Sequence, residues 1–307
     1  MKKHDLISMH DLTVDDIQIY LNTAARVEEI PLKDRFTLLQ GKIMASLFFE
    51  ASTRTRLSFE AAMYRLGGNV IGFAEQAATS ISKGESFSDT IHTVENYADV
   101  IVIRHPKEGT SRHAAQISYL PVINAGDGTN QHPTQTLLDL YTIVKSFKKI
   151  EGLRIAFVGD LKYSRTVHSL LQALIKFRVN EFMLVSPDSL CLPEYLKRIE
   201  TDFPVTFVET RHLEDAIPYA DIIYMTRIQR ERFPDQIEYE KVKDSYCLNA
   251  KMLKVAQNTL KILHPLPRVN EIAPDVDETP HAEYFQQVKN GLIMRQAILL
   301  YVFEVQL

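Results

Sequence analysis

"KIMASLFFEASTRTRLSFEAAMYRLGG", residues 42–68, decides the fold. Its first part, 42–50, is a nearly unbroken apolar run of the kind that forms a buried strand. Its second part, 52–68, places Phe59, Ala62, Met63 and Leu66 at helical spacing and ends on Gly67-Gly68, a helix stop. A buried strand turning directly into an amphipathic helix is the repeating unit of a parallel α/β sheet.

The turn between them is loaded with donors. Ser52, Thr53, Thr55 and Ser58 bring hydroxyls, and Arg54 and Arg56 bring guanidinium groups. Ser52 suits the N-cap, beside backbone amides that have no intrahelical acceptor. Amides, hydroxyls and a cation at a helix start make an anion site, best suited to phosphate. Arg54 and Arg56 point about 200° apart on a helix and cannot share one phosphate. Arg56 has Glu60 one turn later, an expected ion pair, which leaves Arg54 for the ligand. A capped surface helix with ordinary charges is the competing reading of these residue types.

The same alternation continues outward. "NVIGF", "ADVIVIR" and "LPVINAG" read as strands, and 132–147 reads as a helix. The polar "KKIEG" at 148–152 marks a domain boundary. The pattern then restarts, with a strand at 153–160 and a helix at 164–177 carrying Val167, Leu170, Leu171 and Leu174 on one face. "EFMLVSP", "VTFVE", "DIIYMTR" and "LKILHPLPR" are further strands. The expected fold is α/β, with two doubly wound domains and largely parallel sheets. Residues 1–150 form the first domain, 151–285 the second, and 286–307 a C-terminal helix returning to the first.

Global properties narrow the function. The 307 residues carry a net charge of −4, without the basic field of a nucleic-acid binder. No apolar run reaches membrane-span length and the start lacks a signal-peptide core. Cys191 and Cys247 lie far apart without C-x-x-C spacing, so neither a disulfide framework nor a zinc ribbon is expected. No metal or cofactor is expected, and a cytoplasmic location is.

Further candidates sit where strands end, as ligand sites do in open α/β sheets. Arg104 closes an apolar strand. His132 and Gln135 share a face at a helix start opened by Pro133. Arg165 falls in the first turn after strand 153–158. Only Gly159 of a dinucleotide fingerprint is present there, which disfavours a nicotinamide oxidoreductase. Arg227, Gln229, Arg230 and Arg232 cluster after another strand. Pro265 and Pro267 stiffen a loop whose carbonyls stay free to accept. Lys83, beside Gly84, lies in a polar loop that can grasp an anion. Each has a plainer reading as a capping or solvated residue. Together they suit a reaction run by positioning and charge stabilisation.

The set "SLFFEASTRTRLSFE", "RHPKEG", "NAGDGTNQHPTQTLLDL", "GDLKYSRTVHSL", "MTRIQRER" and "HPLPR", in this order, resembles the transcarbamoylase family. The likeness runs from about residue 5 to the C-terminus. It is greatest to the catalytic chains that use aspartate and associate with regulatory chains. The resemblance implies transfer of a carbamoyl group from carbamoyl phosphate to L-aspartate, toward pyrimidines. It implies that Ser52, Thr53, Arg54 and Thr55 hold the phosphate. Thr55, Arg104 and His132 would donate to the carbamoyl oxygen. Gln135 and the carbonyls of Pro265 and Leu266 would accept from the carbamoyl NH2.

By the same resemblance Arg165, Arg227 and Gln229 would hold aspartate. Ser80 and Lys83 would enter a neighbouring subunit's site in a homotrimer, touching carbamoyl phosphate and, for Lys83, aspartate. Glu50, Arg165 and Arg232 would bridge the domains on closure. Arg54, Thr55, Arg104 and His132 are thus the expected catalytic residues. An ornithine-using enzyme is the nearest rival. Its substrate carries a side-chain cation, unsuited to Arg227, and its relatives carry Cys where Pro265 stands. Asn270 stands where aspartate-using relatives of this type carry Asp.

Overall fold

The computed structural model describes residues 4–74, 84–228, 233 and 235–307. The chain divides into two compact units. Met1–Tyr141 with Lys289–Leu307 form one, and Thr142–Val288 form the other.

In the first unit, β1 (Ile43–Phe48), β2 (Asn69–Phe73), β3 (Val100–His105) and β4 (Val122–Asp127) form a parallel sheet in the order β2-β1-β3-β4. Its helices are α1 (Val14–Glu29), α2 (Leu32–Arg35), α3 (Thr53–Arg65), α4 (Phe87–Val94), α5 (Thr110–Ile117) and the start of α6 (Pro133–Phe147). β1, β3 and β4 are buried almost throughout, whereas β2, at the edge, is mostly exposed. Continuous apolar runs therefore mark strands covered on both faces.

α3 takes the helix expected from 52–68. Phe59, Ala62, Met63 and Leu66 are all fully buried. The chain leaves it through Gly67 at φ +85°, where a Cβ would stand 1.7 Å from the Phe36 carbonyl oxygen. No side chain fits there, so the glycine is a steric requirement.

In the second unit, β5 (Arg154–Val158), β6 (Glu181–Val185), β7 (Thr206–Thr210), β8 (Ile222–Met225) and β9 (Lys261–Leu263) form a parallel sheet in the order β7-β6-β5-β8-β9. Its helices are α7 (Arg165–Lys176), α8 (Glu194–Lys197), α9 (Leu213–Tyr219) and α10 (Gln236–Val242). Val167, Leu170, Leu171 and Leu174 of α7 are buried as one face.

α11 (Tyr284–Val302) begins in the second unit and continues in the first. The sequence suggests an apolar buried helix, but α11 also buries Asn290, Arg295 and Gln296. Gln296 is accommodated because its Oε1 accepts from Arg35 Nη1 at 3.2 Å. Among the described residues, no helix is long and apolar enough to cross a membrane. Cys191 and Cys247 are both free thiols.

Strand order creates one topological switch in each sheet. After β1 the chain pairs β2 on one side and β3 on the other. After β5 it builds β6 and β7 on one side and β8 on the other. Crevices beyond the carboxyl ends of β1/β3 and β5/β8 are the places to look for ligands.

Candidate active site

At the first switch, β1 runs through Glu50 into α3. Ser52 occupies the N-cap in an extended conformation, but its side chain makes no capping hydrogen bond. The residue is a cap by position only. Its hydroxyl and the first amides of α3 therefore lie together at the positive end of a helix. Thr55 is buried, while Thr53 and Arg54 are exposed. Arg56 pairs with Glu60 at 3.4 Å. The expected division of labour between the two arginines holds for Arg56.

Arg104, the last residue but one of β3, is in register with Phe48 of β1. Its Nη2 meets Glu50 Oε2 at 2.8 Å, and its Nη1 donates to the Ala125 carbonyl at 3.3 Å. It is thus tied to the ends of both neighbouring strands. After β4, a buried aspartate organises the loop. Asp127 accepts from Asn124 Nδ2 and Gln131 N, both at 3.1 Å, and from Gly109 N at 2.9 Å. This scaffold delivers His132 and Gln135 to the start of α6. Both are buried, so Gln135 is not the solvated residue of the plainer reading. Gln135 Nε2 donates to Asp139 Oδ1 at 2.8 Å.

At the second switch, Gly159 has φ +113°, and a Cβ there would lie 2.3 Å from the Thr226 carbonyl oxygen. Thr226 Oγ1 donates to the Val158 carbonyl at 3.0 Å and accepts from Asp160 N at 3.1 Å. The turn after β5 is thus locked onto the end of β8. Arg165, the first residue of α7, is 8% exposed and not a surface residue. Arg227 follows β8 and is half-buried.

Beyond β9, Pro265 and Leu266 are held by a buried pair. His264 Nδ1 accepts from Leu266 N at 2.7 Å, so the ring proton sits on Nε2. Nε2 donates to Glu271 Oε1 at 2.7 Å, while Glu271 Oε2 accepts from the amides of Val269 and Asn270 at 3.0 and 3.1 Å. Burial pushes His264 below the usual imidazole range and keeps it neutral. Burial would raise the Glu271 carboxyl, but the hydrogen bonds from His264 and the loop amides outweigh it and hold it below the usual range. Asn270 donates through Nδ2 to Asp244; an aspartate at 270 would meet a like charge there.

Ser80, Lys83, Gln229 and Arg232 lie outside the described residues. Among the described residues, no group of three His, Cys, Asp or Glu side chains is placed to hold a metal ion. Sequence reading missed Asp139, His264, Glu271 and Arg295, all polar and buried. Asp139 carries a signal: it is an acid within an apolar helical run, one turn after Gln135. His264 and Glu271 pair across a loop and have no periodic signature.

Ligand-type donors thus stand at both switch points, and comparison with known proteins shows the family to which the chain belongs. Residues 4–145 match the family model described as the aspartate/ornithine carbamoyltransferase, carbamoyl-P binding domain. Residues 151–302 match the Asp/Orn binding domain of the same family. The chain belongs to the aspartate/ornithine carbamoyltransferase family. Among carbamoyltransferases it is 57% identical over 299 residues to the aspartate carbamoyltransferase catalytic subunit of Thermococcus onnurineus, covering 97% of this chain and 96% of that one. The catalytic subunit of M. jannaschii aspartate transcarbamoylase superposes with a TM-score of 0.89 at 50% identity, covering 98% of each chain. The Trypanosoma cruzi aspartate transcarbamoylase, solved with carbamoyl phosphate and aspartate, gives a TM-score of 0.91 at 38% identity and covers 97% of this chain and 96% of that one. The first switch lies in the stretch that matches the carbamoyl-P binding domain and the second in the stretch that matches the Asp/Orn binding domain.

Proposed function

We propose that this chain is the catalytic subunit of an aspartate carbamoyltransferase. It moves the carbamoyl group of carbamoyl phosphate to the α-amine of L-aspartate, in pyrimidine biosynthesis. The observation that carries this reading is the sorting of donors between the two switches. Hydroxyls, amides and Arg54 gather at a helix start in the carbamoyl-P domain, and Arg165 and Arg227 flank the β5/β8 crevice of the other.

The chemistry follows from the residue types. The phosphate sits at the start of α3 among Ser52, Thr53, Arg54 and Thr55. Thr55, Arg104 and His132 donate to the carbamoyl oxygen, which gains negative charge as the amine attacks. Each such donor is worth about 2.7–4 kcal/mol if it acts on the developing oxyanion alone. Gln135 and the carbonyls of Pro265 and Leu266 accept from the carbamoyl NH2. The deprotonated amine forms the new C–N bond, the C–O bond to phosphate breaks, and the departing phosphate takes the amine's surplus proton. Arg165, Arg227 and Gln229 bind the aspartate carboxylates, suited to bidentate guanidinium contacts.

A steady-state assay with carbamoyl phosphate and either aspartate or ornithine tests the reading. Turnover of aspartate is expected; turnover of ornithine but not aspartate would overturn it. The proposal includes a cytoplasmic homotrimer whose sites receive Ser80 and Lys83 from a neighbour, with regulatory chains as partners. Its relatives are named as catalytic subunits, which supports the last point. Mixing Lys83→Ala with Arg54→Ala chains should regain activity if sites are shared. Verified mixed trimers without recovery would refute sharing.

A further inference from the structure

Gln135 and Asp139 stand four residues apart on α6, one above the other. The amide's NH2 end donates to Asp139 Oδ1 at 2.8 Å. An ionised carboxylate accepts only, so it selects that end of the amide. The carbonyl end is therefore the one offered to any other donor. We propose that Asp139, with Arg295 behind it, is a positioning residue. It holds the Gln135 amide carbonyl-outward, so that the site reads the NH2 of a carbamoyl group and rejects a methyl in its place. This rests on the reading that Gln135 accepts from the carbamoyl NH2.

Asp139 is fully buried, and a buried carboxylate needs a compensating charge or hydrogen bonds. Arg295 of α11 supplies charge. Burial pushes its guanidinium down to about 10, against the attraction of Asp139. The side chain is tightly seated. Nη1 donates to Ser58 Oγ at 3.1 Å and to the Gly291 carbonyl at 3.2 Å, and the guanidinium lies 5.2 Å from the Phe59 ring centre. Gly291 makes the seating possible. A Cβ there would stand 2.9 Å from Arg295 Nη1 and 3.1 Å from Leu138 Cδ2. Three helices thus meet at this cation: α3 of the phosphate site, α6 of the carbamoyl site, and α11.

Acetyl phosphate, with a methyl where carbamoyl phosphate has NH2, is the probe. The readout is the preference for carbamoyl phosphate, taken as its KM against the Ki of acetyl phosphate. In Asp139→Asn, residue 139 can face Gln135 with either end of its amide. The preference should then fall at least about tenfold, the loss of one charged-group hydrogen bond. Gln135→Glu alone sets two carboxylates against each other, and should lose both preference and thermal stability. Combining Gln135→Glu with Asp139→Asn restores the pattern. The amide introduced at position 139 then donates to the carboxylate introduced at position 135. The second oxygen of that carboxylate accepts from the substrate, so the double variant should outperform either single one.

An unchanged preference in folded Asp139→Asn, or a double variant no better than Gln135→Glu, would overturn the proposal. If Asp139→Asn does not fold, Gln135→Glu still decides, since wild-type melting and wild-type preference there would refute a carboxylate facing residue 135. Gln135→Ala separates the two levels. If it leaves the preference intact, the NH2-acceptor reading of Gln135 is wrong. If it abolishes the preference while Asp139→Asn does not, only the positioning role fails.

Discussion

The turn from β1 into α3 and the turn from β5 into α7 are topological equivalents. Each leaves a central strand at a switch point, and each opens a helix whose N-cap serine makes no side-chain capping bond. Their chemistry differs. The first is hydroxyl-rich, and its one acid, Glu50, is paired with Arg104 at 2.8 Å. The second contains Asp160, fully buried, whose Oδ1 accepts from Tyr163 N at 2.9 Å. A carboxylate already accepting from an amide of that turn repels a phosphate. The fold offers two anion sites in principle; on the proposed reading the side chains assign one to phosphate and leave the other an arginine for a carboxylate. Function resides in the site grafted on the fold.

Breaking the first site should have the largest effect. Arg54→Ala is expected to lower kcat by about 10²–10³ if its cation stabilises charge in the transition state, with unfolding by urea little changed because the side chain is exposed. Breaking the second should act differently. Arg227→Ala should raise the KM for aspartate by about tenfold to a hundredfold, the worth of one charged-group hydrogen bond. Carbamoyl phosphate binding, measured by calorimetry, should be retained. Equal loss of both ligands in Arg227→Ala would erase the contrast between the two turns.

The His264–Glu271 pair sharpens the comparison through stability. Glu271→Gln should cost about 1–3 kcal/mol in urea unfolding. Acid acts in the same direction on both partners. His264 is held neutral below its ordinary 6.5 and Glu271 is held ionised below its ordinary 4.5. In each case the unfolded chain binds more protons as pH falls, so stability drops first below about pH 6.5 and again below about 4.5. Glu271→Gln should remove the second step; its persistence would place that titration elsewhere. The smallest effect is expected at Arg56. Its half-buried pair with Glu60, one helical turn away, should be worth no more than about 0.5 kcal/mol, and Arg56→Gln should leave kcat unchanged.

Much of this was legible before any coordinates. Periodicity located α3 and α7 and their buried faces, because a helix repeats its environment every turn. Continuous apolar runs located β1, β3 and β5. Residue types at strand ends marked Arg104, His132, Gln135 and Arg165 as candidates. The burial of Arg295 was not legible, since a lone arginine in an apolar helix reads as one misplaced charge until Asp139 and Ser58 come near it. Ser52 was legible as a cap position, though the absence of its capping bond was not.

By itself the sequence determined the alternation of strands and helices, a candidate site for an anion after β1, and the family of enzymes to which these motifs belong. These are local properties, carried by residues a few positions apart. Tertiary structure alone decided that strand ends far apart in the chain become neighbours in the order β2-β1-β3-β4. It also decided the proton on His264 Nε2 and which end of the Gln135 amide is spent on Asp139. Those choices depend on which buried polar groups meet, and a group taken out of water must accept whatever partner the packing brings to it.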